Sequence, residues 1–464
     1  MADDRTKAPE PPPTPDTGTF AEHEDLLAAE SPGEVAEKIE EIPAADGAVV
    51  MEALPSGQAA DVAEYLDPRT AGNILSQMDP TLAASVITDM EPPEASMVLE
   101  AMDPDDRVDV LEHVSGPLHD RLLAEMPADD AADIRDLEQY PPDSAGGIMT
   151  TDVTALPEDL TVGEAISELR RLNEELEQMF YVYVVDRRRH LIGVLSMRDL
   201  ILARPEKRLH EIMRPNVSSV PATMDQEEVA RLFRKYNYLA MPVVDARNRL
   251  LGIITVDDVV RVLETEATED VQKMFGAGAE ERLNSPWQFS FKKRVFWLEV
   301  NLGTAFLAAA VVGWFKDTIE ALPILAAYQT IVSGMGGNAG AQAMAVAIRG
   351  IALGQVDRAL LKKLFWREFI VGLLTGVTIG ATTWAIAVIF HHEHHGIVLG
   401  FVICLALVLN HVNACVSGVA IPFVMKWFGF DPAQSATIFA TTFTDCGGFF
   451  ATLGLAHLLM QWLR

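Results

Sequence analysis

One acidic residue, Asp445, stands in a long uncharged and mostly apolar run near the C-terminus. Thr441 and Thr437 precede it by four and eight residues, so the three side chains share one face of a helix. A charge in the middle of a membrane costs about 2.5 to 3.5 kcal/mol on insertion scales and by default marks an ion or substrate path. Oxygen ligands without sulfur or imidazole suit a hard cation such as Mg²⁺. The sequence therefore predicts that these three residues line a cation pore.

Two other interpretations of Asp445 are a protonated carboxyl in a hydrogen bond between helices and an ion pair with a neighbour. The ion pair is disfavoured because no Lys or Arg lies within any predicted span. A single carboxylate cannot neutralise a divalent cation, whereas two copies of Asp445 on the axis of a symmetric homodimer would. We therefore expect a homodimer.

A glycine-rich segment, residues 333–340, interrupts an earlier apolar run. Its glycines could expose backbone carbonyls and Asn338 to a passing ion, or Gly336 and Gly340 could form a helix-packing motif. We predict that Asn338 contributes to the pore and leave both interpretations of the glycines open. Three glycines in the following apolar run are expected to serve helix packing alone: Gly372, Gly376 and Gly380.

The 464-residue chain divides into an acidic part and an apolar part. Its formal net charge is −31, although 49% of its residues are hydrophobic. Residues 291–464 carry a small positive net charge, so the acidity lies in the first 290 residues. An acidic surface repels phosphates, which argues against nucleic acid as a partner. Runs long enough to cross a bilayer exclude a soluble single-domain protein.

Five membrane spans are predicted, at about 295–315, 321–347, 368–390, 397–425 and 434–462. Lys and Arg cluster before the first span and between the second and third, so the positive-inside rule places the acidic part in the cytoplasm and the C-terminus outside. The expected location is the cytoplasmic (inner) membrane. An outer loop carries four histidines that either recruit Zn²⁺ or Co²⁺ or have no specific role: His391, His392, His394 and His395.

Near the N-terminus a pattern repeats every twelve residues, and several repeats contain Asp or Glu followed by Pro. An acidic N-cap followed by a first-turn proline starts a helix, and apolar residues recur inside each unit at helical spacing. We expect residues 25–140 to form short helices stacked into a superhelix, after a disordered tail at 1–24.

A second duplication links residues 184–199 to residues 243–258 at a constant offset of 59. Each copy is typical of a β-hairpin followed by a helix that starts at Ser196 or Thr255. These residues resemble CBS domains, in which the Ser/Thr approaches a phosphate and an Asp three residues later holds a ribose. An N-cap role for both hydroxyls is the alternative. The resemblance implies ATP binding by the first copy, through Tyr181, Arg198 and Asp199.

The order of these parts resembles the MgtE family of magnesium channels or transporters, from about residue 25 to the end. The resemblance is carried by the helical repeats, by the CBS pair and by the motifs at 143–150, 266–270, 336–340, 431–433 and 441–445. It implies a homodimer with an axial pore in which Asp445 binds hydrated Mg²⁺, and a plug helix at about 266–290. Cytoplasmic Mg²⁺ is expected to close the pore by bridging acidic residues at the matching positions: Asp225, Glu227, Asp258, Glu266, Glu269, Asp270 and Asp431.

Two positions depart from the family pattern. Arg261 stands where the family often has an acidic residue, and Asn237 where some members have Asp. Either substitution would weaken an individual sensor site.

The predicted fold is multidomain: a superhelical α-helical N domain, α/β tandem CBS domains at 141–263, a connecting plug helix at 264–291 and a five-span helical membrane domain at 292–464. The predicted function is a Mg²⁺ channel or transporter, gated by cytoplasmic Mg²⁺ and modulated by ATP. A membrane-anchored nucleotide or cation sensor without transport, and a transporter of Co²⁺ or Zn²⁺, are the alternatives. No enzyme is expected, and an ATPase in particular is disfavoured because the chain lacks the phosphate-binding loop of ATPases.

Overall fold

The computed structural model describes residues 31–172, 181–278, 281, 285, 287–355, 358–390 and 394–463. The chain divides into two compact units, with the boundary between Val259 and Val260. The predicted tail at 1–24 and two of the four outer-loop histidines, His391 and His392, lie outside the described residues. The side chains of His394 and His395 do so as well.

Short helices fill the first part of the first unit. In the described residues they are α1 (Pro32–Ile39), α2 (Ala44–Ala53), α3 (Ser56–Tyr65), α4 (Pro68–Gln77), α5 (Pro80–Asp89), α6 (Pro92–Glu100), α7 (Pro104–Leu111), α8 (Gly116–Glu125) and α9 (Ala128–Leu137). Each begins twelve residues after the previous one, which confirms the predicted repeat of short helices.

The helix starts have a local cause. The Asp67 carboxylate accepts hydrogen bonds from the backbone N–H groups of Arg69 and Thr70, and Asp79 caps α5 in the same way. Helices two apart in sequence pack against each other, and α4 contributes Ile74 and Leu75 to the buried face. The superhelical path of the stack stays a prediction.

Two copies of one α/β motif follow. The first comprises β1 (Ala155–Pro157), α10 (Val162–Leu172), β2 (Tyr181–Val185), β3 (Leu191–Ser196), α11 (Met197–Leu202) and α12 (Leu209–Ile212). The second comprises β4 (Val220–Pro221), α13 (Gln226–Tyr236), β5 (Ala240–Val244), β6 (Leu250–Thr255) and α14 (Val256–Met274).

The two copies have the same sheet topology. In each, the first strand pairs in parallel with the second, and the second pairs antiparallel with the third. The register irregularity falls at equivalent positions, between Val184 and Val185 and between Val243 and Val244. The predicted duplication of a hairpin followed by a helix is confirmed.

The connecting segment is not one helix over 266–290. Helix α14 continues from the second α/β copy and ends at Met274, and the next helix begins at Trp287. Gly276 has a φ of +77° and lies just beyond the helix end. A left-handed glycine at this place terminates a helix, because its backbone N–H turns back to the last free carbonyls.

The second unit contains the long helices α15 (Trp287–Trp314), α17 (Leu325–Ala352), α18 (Arg358–Phe390), α19 (His394–Trp427) and α20 (Ala436–Leu458), with two short ones, α16 (Lys316–Ala321) and α21 (Met460–Leu463). Within the described residues, four helices are long and apolar enough to cross a membrane: α15, α18, α19 and α20. Helix α17 is also 28 residues long, but its Ser, Gln, Asn and Arg residues make it less apolar. The count of five spans therefore stays a prediction.

The predicted packing role of the three glycines of α18 is confirmed. A Cβ atom at Gly376 would lie 2.7 Å from Cα of Val408 in α19, and Gly372 and Gly380 face the same helix equally closely. The absence of three side chains, four residues apart, lets the two helix backbones approach. Helix α17 packs against both α19 and α20.

We expect Gly376→Ala to lower the thermal midpoint of the detergent-solubilised protein, because α18 and α19 must separate to admit the methyl group. Overpacking of this kind costs roughly 1 to 3 kcal/mol. The control is Gly303→Ala on α15, where an added Cβ meets no atom within 4 Å. Equal midpoints for the two variants, measured by loss of the monodisperse chromatographic peak on heating, would contradict the packing role.

Candidate ion site and cytoplasmic acidic residues

Asp445 lies at mid-length of α20 and is half-buried in the single chain. Its Oδ1 accepts a hydrogen bond of 2.5 Å from the Ser333 hydroxyl of α17. One alternative interpretation of Asp445 was a protonated carboxyl in a hydrogen bond between helices. The bond between helices is present, but because Ser333 donates it, the carboxyl need not be protonated. Sequence reasoning missed Ser333 as a partner because 112 residues separate the two.

Thr441 and Thr437 lie on the same helix as Asp445 and donate their hydroxyl protons to backbone carbonyls. Thr441 donates to the carbonyl of Thr437 at 2.8 Å, and Thr437 donates to the carbonyl of Met274 at 2.5 Å. A hydroxyl that donates in this way keeps its oxygen lone pairs available as acceptors. Both threonines can therefore accept hydrogen bonds from water around a cation.

A cavity of about 490 Å³ lies beside the two threonines, within the second unit. Thr437 and Thr441 form part of its wall, and Arg294, Trp297 and Asn301 of α15 form another part. The space is large enough for several water molecules. The Thr437 and Thr441 hydroxyls can thus contact water in this space, whereas Asp445 is not part of its wall.

The glycine-rich segment is helical throughout, so its backbone carbonyls belong to α17. Gly336 packs against the side chain of Asn410, and Gly340 packs against Ala414 and Thr444. These contacts favour the packing interpretation of the two glycines. Asn338 is exposed in the single chain, and its role in the pore stays a prediction.

Two asparagines of α19 also escaped the sequence analysis. Asn410 is 1% exposed and donates from Nδ2 to the Val332 carbonyl at 2.8 Å. Asn413 donates to the Phe443 carbonyl of α20 at 2.9 Å. The sequence did contain a signal for these contacts, namely two amide side chains three residues apart in a long apolar run. Polar residues inside membrane spans face other helices.

Several predicted sensor residues meet where α14 ends. Lys273 forms ion pairs with Glu269 of the same helix and with Asp431, whose Oδ2 lies 2.9 Å from the lysine Nζ. The N–H of Ser435 donates to the Lys273 carbonyl at 2.7 Å. Partial burial disfavours the charged lysine, but the hydrogen bonds to both carboxylates outweigh it and raise its pKa. The structure thus brings the Glu269 and Asp431 carboxylates together around the ammonium group of Lys273.

A second acidic group lies in the first unit. Asp258 is buried, and its Oδ2 accepts a 2.6 Å hydrogen bond from Thr255. Asp105 of α7 is 6% exposed, and its Oδ1 has no hydrogen-bond partner in the described structure. Burial raises the pKa of Asp105 well above its usual range, and the negative charge of Asp258 raises it further. Asp105 therefore lies close enough to the predicted sensor residue Asp258 for its pKa to depend on the Asp258 charge.

The remaining predicted sensor residues are placed as follows. Asp225 caps α13 by accepting from the N–H of Glu227, and Glu227 pairs with Arg231 at 3.8 Å. Glu266 and Asp270 lie on α14 and are partly buried. Of the two departures from the family pattern, Asn237 ends α13 in a left-handed conformation that asparagine tolerates, and Arg261 lies exposed on α14.

The predicted ATP residues lie around the start of α11. Ser196 and Asp199 form a reciprocal capping box, so the N-cap interpretation holds for Ser196. The hydrogen bond from Ser196 lowers the pKa of Asp199, and Arg214 lies 3.7 Å from its carboxylate. Tyr181 begins β2 and Arg198 follows Met197 on α11. ATP binding by these residues stays a prediction.

No group of three acidic, histidine or cysteine side chains that could hold a metal ion is found among the residues that the structure describes. Mg²⁺ retains several waters and needs only one or two carboxylates. An ion held by only two carboxylates, such as those of Asp105 and Asp258 or of Glu269 and Asp431, would therefore have to keep most of its water ligands, as Mg²⁺ does.

We expect Asp105→Asn to slow hydrogen exchange in peptides covering α7 when Mg²⁺ is removed with a chelator. The amide removes a buried charge that the Asp258 carboxylate repels. In the wild type, millimolar Mg²⁺ should slow this exchange, and the variant should lose most of that response. The control is Asp120→Asn, since the Asp120 side chain is 88% exposed. An unchanged Mg²⁺ response in Asp105→Asn would contradict a cation site here.

The sequence matches several known families along most of its length. The divalent cation transporter family MgtE matches residues 329–455, the MgtE intracellular N domain matches 42–143, and the CBS domain matches 145–206 and 209–265. A solved cytosolic domain of the Mg²⁺ channel MgtE in complex with ATP is 36% identical, covers 53% of this chain and 100% of its own, and has a TM-score of 0.49.

Full-length relatives are similar as well. The magnesium transporter MgtE of Thermus thermophilus is 37% identical over 341 residues, which cover 71% of this chain and 73% of the relative. That of Bacillus subtilis is 33% identical and covers 74% of this chain and 75% of the relative. With these similarities and the ordered succession of domains, the chain belongs to the MgtE family of magnesium transporters.

Proposed function

We propose that the protein is a Mg²⁺ channel of the cytoplasmic membrane, with Asp445 as the ion-binding carboxylate of its pore. The observation that carries this proposal is an aspartate at mid-length of a membrane-spanning helix, with two threonine hydroxyls on the same face and a cavity beside them. The names of the relatives, magnesium transporters, support the choice of ion.

The pore forms on the axis of a homodimer with five spans in each subunit. Two Asp445 side chains then provide the two negative charges that a divalent ion requires. The ion keeps most of its waters, because Thr441, Thr437 and Asn338 offer neutral oxygens that bind water rather than replace it. The Lys and Arg residues at the span ends orient the acidic domains toward the cytoplasm and the C-terminus outside.

Cytoplasmic Mg²⁺ closes the pore by binding between acidic residues. At low Mg²⁺ no cation offsets the negative charge of Asp258 beside the buried Asp105, whose pKa is raised by burial and further by that charge. At high Mg²⁺ the ion neutralises them and favours the conformation in which they lie close together. Helix α14 contains Asp258 near its start, and near its end Lys273 pairs with Asp431. It therefore connects the sensor residues along one helix. The other proposed sensors are Asp225, Glu227, Glu266, Glu269 and Asp270.

ATP is the proposed modulator of this response. Asp199 is ionised and partly exposed at the N-terminus of α11, where it could accept from ribose hydroxyls. Arg198 beside it offers a cation for phosphate, and Tyr181 offers a ring for the base. Binding measured by calorimetry to wild type and to Asp199→Ala tests this assignment.

The pore assignment is tested by Mg²⁺ flux into liposomes, reported by an enclosed dye. Asp445→Asn keeps the size of the side chain and one oxygen that can accept from Ser333 but removes the charge, so we expect flux to fall by at least about tenfold, which corresponds to about 1.4 kcal/mol in the barrier. The control is Glu320→Gln on α16, an exposed carboxylate paired only with Lys316 at 3.4 Å in the described structure.

Other outcomes identify the alternatives. Full flux in Asp445→Asn would exclude this carboxylate as the ion site. ATP binding without any cation flux in the wild type would identify a sensor that does not transport. Flux of Zn²⁺ or Co²⁺ that requires a counter-ion gradient and the histidines at 391–395 would identify a broader transporter.

The Lys273 ammonium group, which pairs with both Glu269 and Asp431, gives a prediction for gating. Sensor Mg²⁺ must displace Lys273 before it can bridge Glu269 and Asp431. We therefore expect Lys273→Gln to lower, several-fold, the cytoplasmic Mg²⁺ concentration that halves the flux. The control is Lys235→Gln on α13, whose ammonium group lies over the Tyr236 ring. A higher Mg²⁺ requirement in Lys273→Gln would show that the lysine assists closure instead of competing with the ion.

A further inference from the structure

The side chain of Asp445 is fixed by another helix. Its bond with Ser333 joins α20 to α17, and Asp445 makes no other hydrogen bond to the described residues. An aspartate on an isolated helix moves among its rotamers, whereas a hydrogen bond to one oxygen selects one of them. The second oxygen, Oδ2, is then the one available to an ion or its waters.

The position of Ser333 is fixed in turn by α19. The Asn410 amide donates to the carbonyl of Val332, the residue that directly precedes the serine. This carbonyl also belongs to the backbone ladder of α17, so Asn410 adds a second donor to it. A hydrogen bond between helices at this point holds the turn that carries the serine hydroxyl toward α20.

Two glycines, Gly336 and Gly448, make room for the Asn410 side chain. A Cβ atom at Gly336 would lie 2.2 Å from Nδ2 of Asn410, and one at Gly448 would lie 2.7 Å from it. The amide thus lies between α17 and α20, each of which presents a glycine. A Cβ atom at either position would force the Asn410 amide to shift from its present place.

The chemistry of Asn410 argues against a role in stability alone. Its Oδ1 is buried and has no hydrogen-bond partner among the described residues. An unsatisfied buried acceptor is destabilising, and an apolar residue of similar size would avoid it. The amide therefore needs another explanation, and its single hydrogen bond leads to the turn that holds Ser333.

We propose that Ser333 and Asn410 are positioning residues for the pore carboxylate, and that they set how tightly Asp445 holds the permeating cation. This inference rests on the proposed pore role of Asp445. Asn410 fixes the turn of α17, Ser333 fixes one oxygen of Asp445, and the other oxygen is oriented before the ion arrives. Preorganisation of this kind strengthens binding, because the ordering cost does not fall on the binding step.

The test compares the Mg²⁺ concentration that half-saturates flux in wild type and variants, with purified full-length protein in liposomes. We expect Ser333→Ala to raise it roughly tenfold, the effect of losing a hydrogen bond to a charged group. The maximal flux at saturating Mg²⁺ should change much less. Ser333→Thr restores the hydroxyl and should return the value toward that of the wild type.

The matched control is Ser417→Ala on α19. The Ser417 hydroxyl donates to backbone carbonyls of its own helix, at 2.7 Å to Asn413 and 3.2 Å to Ala414. Its removal deletes an equivalent group without touching Asp445. Asn410→Leu is a second variant, and it should shift half-saturation in the same direction as Ser333→Ala.

The outcomes separate the two proposals. If Asp445→Asn abolishes flux but Ser333→Ala and Asn410→Leu keep the wild-type half-saturation, the positioning role is wrong and the pore assignment stands. If all the serine variants lose maximal flux alike, including Ser417→Ala, the hydroxyls serve folding and the positioning role is also wrong. If Asp445→Asn conducts like the wild type, both proposals fall together.

Discussion

The central constraint on the membrane unit is the carboxylate of Asp445 at mid-length of a spanning helix. A lone charge in hydrocarbon is unfavourable, so the neighbouring helices must supply hydrogen bonds and a polar space. Helix α17 supplies the serine, and a cavity farther along α20, beside Thr437 and Thr441, leaves room for water. The glycines of α17, α18 and α20 let these helices come close enough for short polar side chains to reach one another.

Outside the predicted spans, carboxylates are subject to the same constraint, that a buried charge needs a partner. Carboxylates are placed where burial and their neighbours disfavour the charge, as at Asp105, or where one lysine serves two of them, as at Glu269 and Asp431. In the account proposed here, a divalent cation would neutralise each of these arrangements. The acidity of this region would then also provide its sensitivity to the ion that the pore carries.

Much of this structure could be predicted from local sequence. The twelve-residue repeat, the caps at Asp67 and Asp79, the duplicated hairpins and the packing glycines of α18 all depend on residues close together in the chain. Asp445 stood out because a single charge in an apolar run has few explanations. The plug helix at about 266–290 was implied by the family resemblance, and the structure ends α14 at Met274 because the left-handed backbone of Gly276 stops the helix.

The partners across helices could not be predicted in the same way. Ser333, Asn410 and Asp105 act through residues 78 to 153 positions away, and no local pattern encodes such pairings. Helix α17 corresponds to a span predicted at 321–347, yet its Ser, Gln, Asn and Arg residues make it less apolar than the four helices that are apolar enough to cross a membrane. Polar residues that serve a buried site therefore make the surrounding helix look less like a membrane span.

The most direct test of the account is to locate the ion itself. We would determine the structure of the full-length protein with Mn²⁺, whose anomalous scattering distinguishes it from water, in wild type and in Asp445→Asn. The account predicts a peak beside Oδ2 of Asp445 on the axis between two subunits, which the asparagine variant lacks. Mn²⁺ elsewhere in the protein, with Asp445 bonded only to Ser333 and no ion beside it, would contradict the assignment of this carboxylate to the pore.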